Sequence, residues 1–140
     1  MEQLLQIPVH EATLRISKIL SLMKNEGIDA ILISDNANKF YTSGRVYNGY
    51  TYIPTQGNAI YFVRRPVELE GEGLEYIRKP ENIAEILLQK GFPMPSSLGL
   101  ELDLAPYSAV QRIAKIFPNA KICNASGIMR QARSIKTDYE

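Results

Sequence analysis

VHEATLRISKILSLMKNEGIDAILIS, residues 9 to 34, carries two hydrophobic periods in succession. Val9, Ala12, Ile16, Ile19, Leu20 and Met23 recur at intervals of three and four, which gathers them on one face of a helix. Gly27 follows where such a helix closes on a left-handed residue. Asp29-Ala30-Ile31-Leu32-Ile33-Ser34 is then apolar at every interior position, as in a strand covered on both faces. A helix leading straight into a doubly covered strand places the chain among α/β folds.

Working outward, Asp35 to Asn38 has turn or cap chemistry. FYTSGRVYNGYTYIPTQG, Phe40 to Gly57, reads as a loop dense in aromatics and glycine. NAIYFVRR, residues 58 to 65, is strand-like, and LEYIR, 74 to 78, is expected to return beside it as an antiparallel hairpin. The intervening PVELEGEG reads as an exposed connection. Pro80 suits a helix start, with Ile83, Ile86 and Leu87 facing inward and Gly91 closing it. After FPMPSS, Leu98, Leu100 and Leu102 alternate with Gly99 and Glu101 as a strand. Pro106 opens a helix whose inward residues are Tyr107, Val110, Ile113, Ala114 and Phe117. Ala120 to Cys123 forms a short strand. Ile128, Met129, Ala132 and Ile135 mark a last helix, capped by Ser126 or Asn124. The sum is an α/β domain with a mixed β-sheet flanked by helices.

A length of 140 residues suits one domain, and 45% apolar with 22% charged residues is ordinary globular composition. The net charge of +1 supplies no field to attract nucleic acid or an anionic membrane. The one cysteine fits a reducing compartment. MEQLLQIPVHEATLR lacks the basic and apolar regions of a secretory signal. No apolar run nears the roughly 20 residues of a membrane span. The expected location is cytoplasmic.

Chemistry is sparse. His10 is the sole histidine and reads as a surface or helix-start residue, because zinc needs about four ligands. Cys123, in a short strand, reads as buried and structural. Glu101 and Asp103 flank Leu102 and point to the same side of a strand end. With Asp29 or Asp35 they offer a two-metal nuclease arrangement, but a solvated strand end plus a helix cap is the favoured reading. Gly71-Glu72-Gly73 lacks the strand–turn–helix setting of a phosphate loop. Arg130, Arg133 and Lys136 form a helix stripe, read as a solvated or interface face ahead of a phosphate site. The aromatics Phe40, Tyr41, Tyr47, Tyr50 and Tyr52 serve either a local core or a binding surface. Thr137-Asp138-Tyr139-Glu140 has the S/T-x-x-E pattern of a capping box, so a helix is expected to begin there.

Two segments together resemble a known family. KFYTSG, Lys39 to Gly44, follows GIDAILIS and resembles the Y-L-T-G signature of creatinase, prolidase and aminopeptidase P, with Tyr41, Ser43 and Gly44 matching. RSIKTDYE resembles the R-x-x-K-[ST]-x-x-E segment where those enzymes pass into their catalytic domain, with Arg133, Lys136, Thr137 and Glu140 matching. Arg45 stands where the family often has an aromatic.

The resemblance implies a three-layer, ribonuclease-H-like domain over residues 1–133. Residues 134–140 would begin the linker and first helix of a catalytic domain that is not in this chain. It further implies no catalytic or metal-binding residue here, and two divalent ions (Mn, Co or Zn type) in that following domain. The parent would be a Xaa-Pro dipeptidase or aminopeptidase acting on peptides, with a homodimer and its own C-terminal domain as partners. Tyr41, Gly44, Arg45, Tyr47, Asn48 and Tyr50 would belong to a loop that forms the dimer and lies over the substrate pocket. In that setting Arg45 could meet a terminal carboxylate and the tyrosines a proline ring. The alternatives are a stand-alone peptide- or protein-binding module using the aromatic loop, or a ribonuclease-H-like nuclease.

Overall fold

The computed structural model describes residues 2–136 and Tyr139. Thr137, Glu140 and the helix start expected there lie outside the described residues. The chain begins with β1 (Glu2–Gln3), α1 (Val9–Glu26), β2 (Ala30–Ile33) and α2 (Asn36–Ser43). Four strands follow: β3 (Asn48–Pro54), β4 (Ile60–Arg65), β5 (Leu69–Glu70) and β6 (Leu74–Tyr76). The remainder is α3 (Asn82–Gln89), β7 (Ser97–Leu100), α4 (Tyr107–Ile116), β8 (Lys121–Asn124) and α5 (Ser126–Ser134).

The main sheet runs in the order β6-β4-β3-β2-β7-β8. β3 is antiparallel to both neighbours, while β2–β7, β7–β8 and β4–β6 pair in parallel. Every strand of this sheet except β3 therefore points the same way, and their carboxyl ends share one edge. Alternation along the strands sorts the side chains into two cores. Leu32, Tyr52, Ile60, Phe62 and Leu98 meet Ile83 and Leu87 of α3 and Ile113 of α4. Ile31, Ile33 and Ile53, on the other face, meet Ile19 and Met23 of α1, Tyr41 of α2, and Ile128 and Met129 of α5. Helices on both faces make three layers, as the α/β reading requires. In β7, Gly99 is compressed between them: a Cβ there would lie 2.9 Å from the Ala125 Cβ and 3.0 Å from Ile31.

A third cluster sits at one end of the second face, where Tyr61, Val63, Tyr47 and Leu69 enclose a fully buried Leu4. The N-terminal arm is held there by backbone pairing of β1 with β5, a bond from Leu4 N to Glu70 O and another from Gln6 N to Ser43 O.

The structure corrects several expectations. β4 and β6 are parallel, because the connection turns back through β5 and the Gly71–Gly73 turn before β6 starts beside Tyr61. PVELEGEG is not wholly exposed, since Leu69 anchors the arm. Phe40 to Gly57 is mostly regular: α2 runs to Ser43 and β3 occupies Asn48–Pro54. Its glycines punctuate elements rather than dissolve them. Tyr107, Val9 and Ile135 face solvent, each at an element end where the helix has turned off the core. Strand β7 stops at Leu100, so Leu102 is exposed and Asp103 no longer shares a strand face with Glu101. Cys123 is only half-buried, because β8 is the sheet edge. Asn124, not Ser126, accepts from the first turn of α5.

Candidate functional site

The carboxyl end of β2 lies between neighbours reached by different routes, β3 through the short helix α2 and β7 by a longer crossover, and such switch points open crevices at strand ends. There Asp35 caps α2, its Oδ2 accepting from Ala37 N at 3.0 Å and Asn38 N at 3.4 Å. Glu101, 1% exposed, reaches in from the end of β7 and accepts from Ser34 N at 2.6 Å, Asp35 N at 3.0 Å and Asn38 Nδ2 at 2.6 Å. A buried carboxylate needs such a set of donors, and here they lock α2 onto β2 and β7.

Gly44 ends α2 at φ +77°, with its N–H donated to Phe40 O at 2.6 Å. A Cβ there would stand 2.8 Å from Ile7 Cγ2 and 2.9 Å from the Gln6 carbonyl carbon. The glycine of the KFYTSG segment thus admits both a left-handed turn and the N-terminal arm. Ser43 Oγ donates to Lys39 O and accepts from Arg45 N. The Tyr41 hydroxyl donates to Ala132 O at 3.2 Å, tying α2 to α5, while the Arg15 guanidinium stacks 5.0 Å above its ring. Tyr47 and Tyr61 are buried, and their rings meet edge-on at 6.5 Å. Burial raises the Tyr61 phenol to about 12. Burial likewise raises Tyr47 and Tyr50 above the ordinary phenol value. Lys39 is buried beneath the turn and donates to Tyr47 O at 2.6 Å and Gly49 O at 3.3 Å. Burial lowers its pKa, against the opposing pull of Glu101 and Asp35.

These elements enclose two clefts. One, of about 940 Å³, lies between Lys39, Tyr47–Tyr50 and the β4 exit from Arg64 to Val67. The other, of about 510 Å³, gathers Arg15, Phe40, Tyr41 and Val46 with Arg133 and Lys136. Tyr47, Asn48 and Tyr50 from the sequence reading line the first, whereas Tyr41 and the described junction residues line the second.

Arg45 goes to neither. Its Nε donates to Leu4 O, and its Nη2 to Gln3 O and Glu2 Oε2, each at 3.2 Å. It pins the arm instead of facing a ligand. The aromatic stretch divides likewise: Tyr41, Tyr47 and Tyr52 are core, Tyr50 is half-buried and Phe40 is exposed.

The acidic residues weighed as a metal pair are dispersed onto other duties. Asp29 Oδ2 accepts from Ser96 N, and Asp103 pairs with Asn124 and Arg130. Among the described residues no three His, Cys, Asp or Glu stand close enough to hold a metal ion. The described residues do not fit a two-metal centre. Sequence reading missed Arg64, Arg65, Pro66 and Val67, and the signal available was a pair of arginines ending an apolar strand.

The architecture is that of a three-layer α/β domain in which many polar side chains secure its own turns. A family model for the Creatinase/Prolidase N-terminal domain matches residues 15–135. The chain belongs to that family. The Xaa-Pro dipeptidase of Pyrococcus horikoshii is 27% identical over 132 residues, covering 90% of this chain and 36% of the relative. A solved Xaa-Pro dipeptidase from Bacillus anthracis superposes with a TM-score of 0.73 at 22% identity, over 92% of this chain and 38% of that one. The N-terminal domain of the cytoplasmic peptidase PepQ from Mycobacterium tuberculosis H37Rv gives 0.69 at 23% identity, over 86% of this chain and 98% of that one. The chain therefore spans little more than a third of the two dipeptidases, and nearly all of the separately solved domain.

Proposed function

We propose that this domain is the non-catalytic N-terminal part of a metal-dependent Xaa-Pro dipeptidase or aminopeptidase. The observation carrying this reading is the match of one family model to residues 15–135, in a chain that spans 36% of its dipeptidase relative. Residues 1–133 form the domain, and 134–140 lead into the catalytic part. The exit of α5 at Ser134 in an extended conformation at Ile135 supports that division. Arg133, Lys136, Thr137 and Glu140 are assigned to the junction, where the second cleft offers Phe40 and Val46 as an apolar seat.

Two divalent ions, homodimerisation and peptide hydrolysis are assigned to the whole enzyme. The carboxylates weighed for metal binding are engaged otherwise, Asp29 by Ser96 N, Glu101 by Ser34 N, Asp35 N and Asn38, and Asp103 by Asn124 and Arg130, and bond cleavage is assigned to the catalytic part. The turn from Gly44 to Tyr50 contributes to the dimer and the substrate pocket, with the half-buried Tyr50 ring available to an apolar side chain. A cytoplasmic location accords with the PepQ relative. Among the described residues no helix is long and apolar enough to cross a membrane.

The test extends the chain through its natural reading frame and assays Xaa-Pro dipeptides with added Mn²⁺. Turnover is expected from the extended protein and none from residues 1–140. Tyr50→Ala should lower kcat/KM by roughly three- to tenfold, the loss of one ring contact. Turnover by the 140-residue chain alone, or a frame ending at Glu140, would overturn the proposal.

A further inference from the structure

The larger cleft has an unbalanced lining. Three cations, Lys39, Arg64 and Arg65, border it, and no Asp or Glu does. The whole chain, by contrast, has 16 basic and 15 acidic residues. Lys39 is committed, its ammonium bracing two carbonyls with Glu101 and Asp35 near behind it. The arginines differ: neither guanidinium has a hydrogen-bond or ion-pair partner among the described residues. Elsewhere Arg15, Arg45, Arg112 and Arg130 each have one, and Arg78 and Arg133, which stand outside this cleft, have none among the described residues. Two unpaired guanidiniums at a strand exit suit a planar oxyanion, which they grip with paired N–H donors. The remaining walls set Val46, Tyr50, Pro66 and Val67 beside the uncharged polar Ser34, Asn36 and Asn48. That mixture fits an organic acid better than a bare ion.

The geometry points to a carboxylate-binding subsite in this cleft, with Arg64 and Arg65 as donors and a peptide as the carrier. The carboxylate comes from the peptide's C-terminus or from an acidic side chain. The inference rests on the reading above that this face meets peptide, and adds the charge the peptide must bring.

The test is an NMR titration of the ¹⁵N-labelled 140-residue chain. Acetyl-Ala-Pro is compared with its C-terminal amide, and acetyl-Glu-Pro-amide with its Gln counterpart. At least one acid should shift the Gly49 and Tyr50 amides and bind roughly three- to tenfold tighter than its neutral partner. Whichever pair shows the difference identifies the source of the carboxylate. R64Q/R65Q should abolish the preference, and Arg78→Gln, outside the cleft, should leave it intact. Equal binding of acid and neutral forms in both pairs, or a preference that survives R64Q/R65Q, overturns the inference. So does inorganic phosphate binding as tightly as the peptides, which would mark a bare anion site. If no acid is preferred while Tyr50→Ala still lowers turnover of the extended enzyme, only the subsite falls. If the preference holds and Tyr50→Ala has no effect on turnover, the subsite stands and the pocket assignment falls.

Discussion

Tyr47 and Tyr52 show how much depends on where one hydroxyl ends. Both rings are buried, and the Tyr47 hydroxyl pairs with Thr51 Oγ1. The Tyr52 hydroxyl has no hydrogen-bond partner among the described residues, although its ring packs edge-on against Phe62 at 6.4 Å. An unpaired buried hydroxyl costs more than it contributes. Tyr52→Phe is therefore expected to leave stability unchanged or raise it by up to about 1 kcal/mol, and Tyr47→Phe to lower it by about 1–2 kcal/mol. Urea midpoints at constant m-value decide the matter, and the opposite ranking would refute the assignment. The stretch YNGYTYIP advertised its aromatics but hid its strand. Both faces of β3 are covered, so residues of either parity are apolar or aromatic and the two-residue period is invisible. Arg45 illustrates another limit, since its pinning role depends on an arm more than forty positions upstream.

Glycines at helix ends carry the argument at the scale of elements. Gly27 closes α1 at φ +69° with no atom near its missing side chain, whereas Gly44 closes α2 at φ +77° against Ile7 and Gln6. Gly27→Ala should cost about 1 kcal/mol, the penalty of a left-handed alanine. Gly44→Ala adds a backbone clash and should cost roughly 2–4 kcal/mol. It should also loosen the arm, visible as faster hydrogen exchange at Leu4 N and Gln6 N. Equal costs at the two sites would mean the arm is not packed as described. Helix-then-strand order was readable from period and caps, because each unit is local. Strand direction was not: the side-chain pattern of β6 is the same for parallel and antiparallel pairing, and β5 and its partner β1 are too short to leave a signal.

For the whole molecule, α3 and α4 cover one face of the sheet and are bridged by Arg112, whose Nε and Nη2 reach Glu81 at 2.9 and 2.8 Å. These hydrogen bonds hold the Glu81 carboxyl down from 4.5 to about 2. A depressed carboxyl pKa stabilises the fold above its ordinary value, and that contribution fades as pH falls from about 4.5 to about 2. A carbon-detected titration should place the Glu81 midpoint near the lower figure and move it toward the upper one in Arg112→Gln. An unmoved midpoint would exclude the bridge as the cause. Sequence alone disclosed the layers and the family resemblance, since those follow from hydrophobic period and two short motifs. It did not disclose the cleft, which arises only where the exits of β2 and β4 meet the entry to β3.

The arm that carries Leu4 also imposes an order in time. It leaves the ribosome ahead of its seats, because Arg45, Tyr61 and the Leu69–Glu70 strand are translated roughly forty to seventy codons later. That segment must therefore wait unfastened through about half of the domain's synthesis before its partners exist.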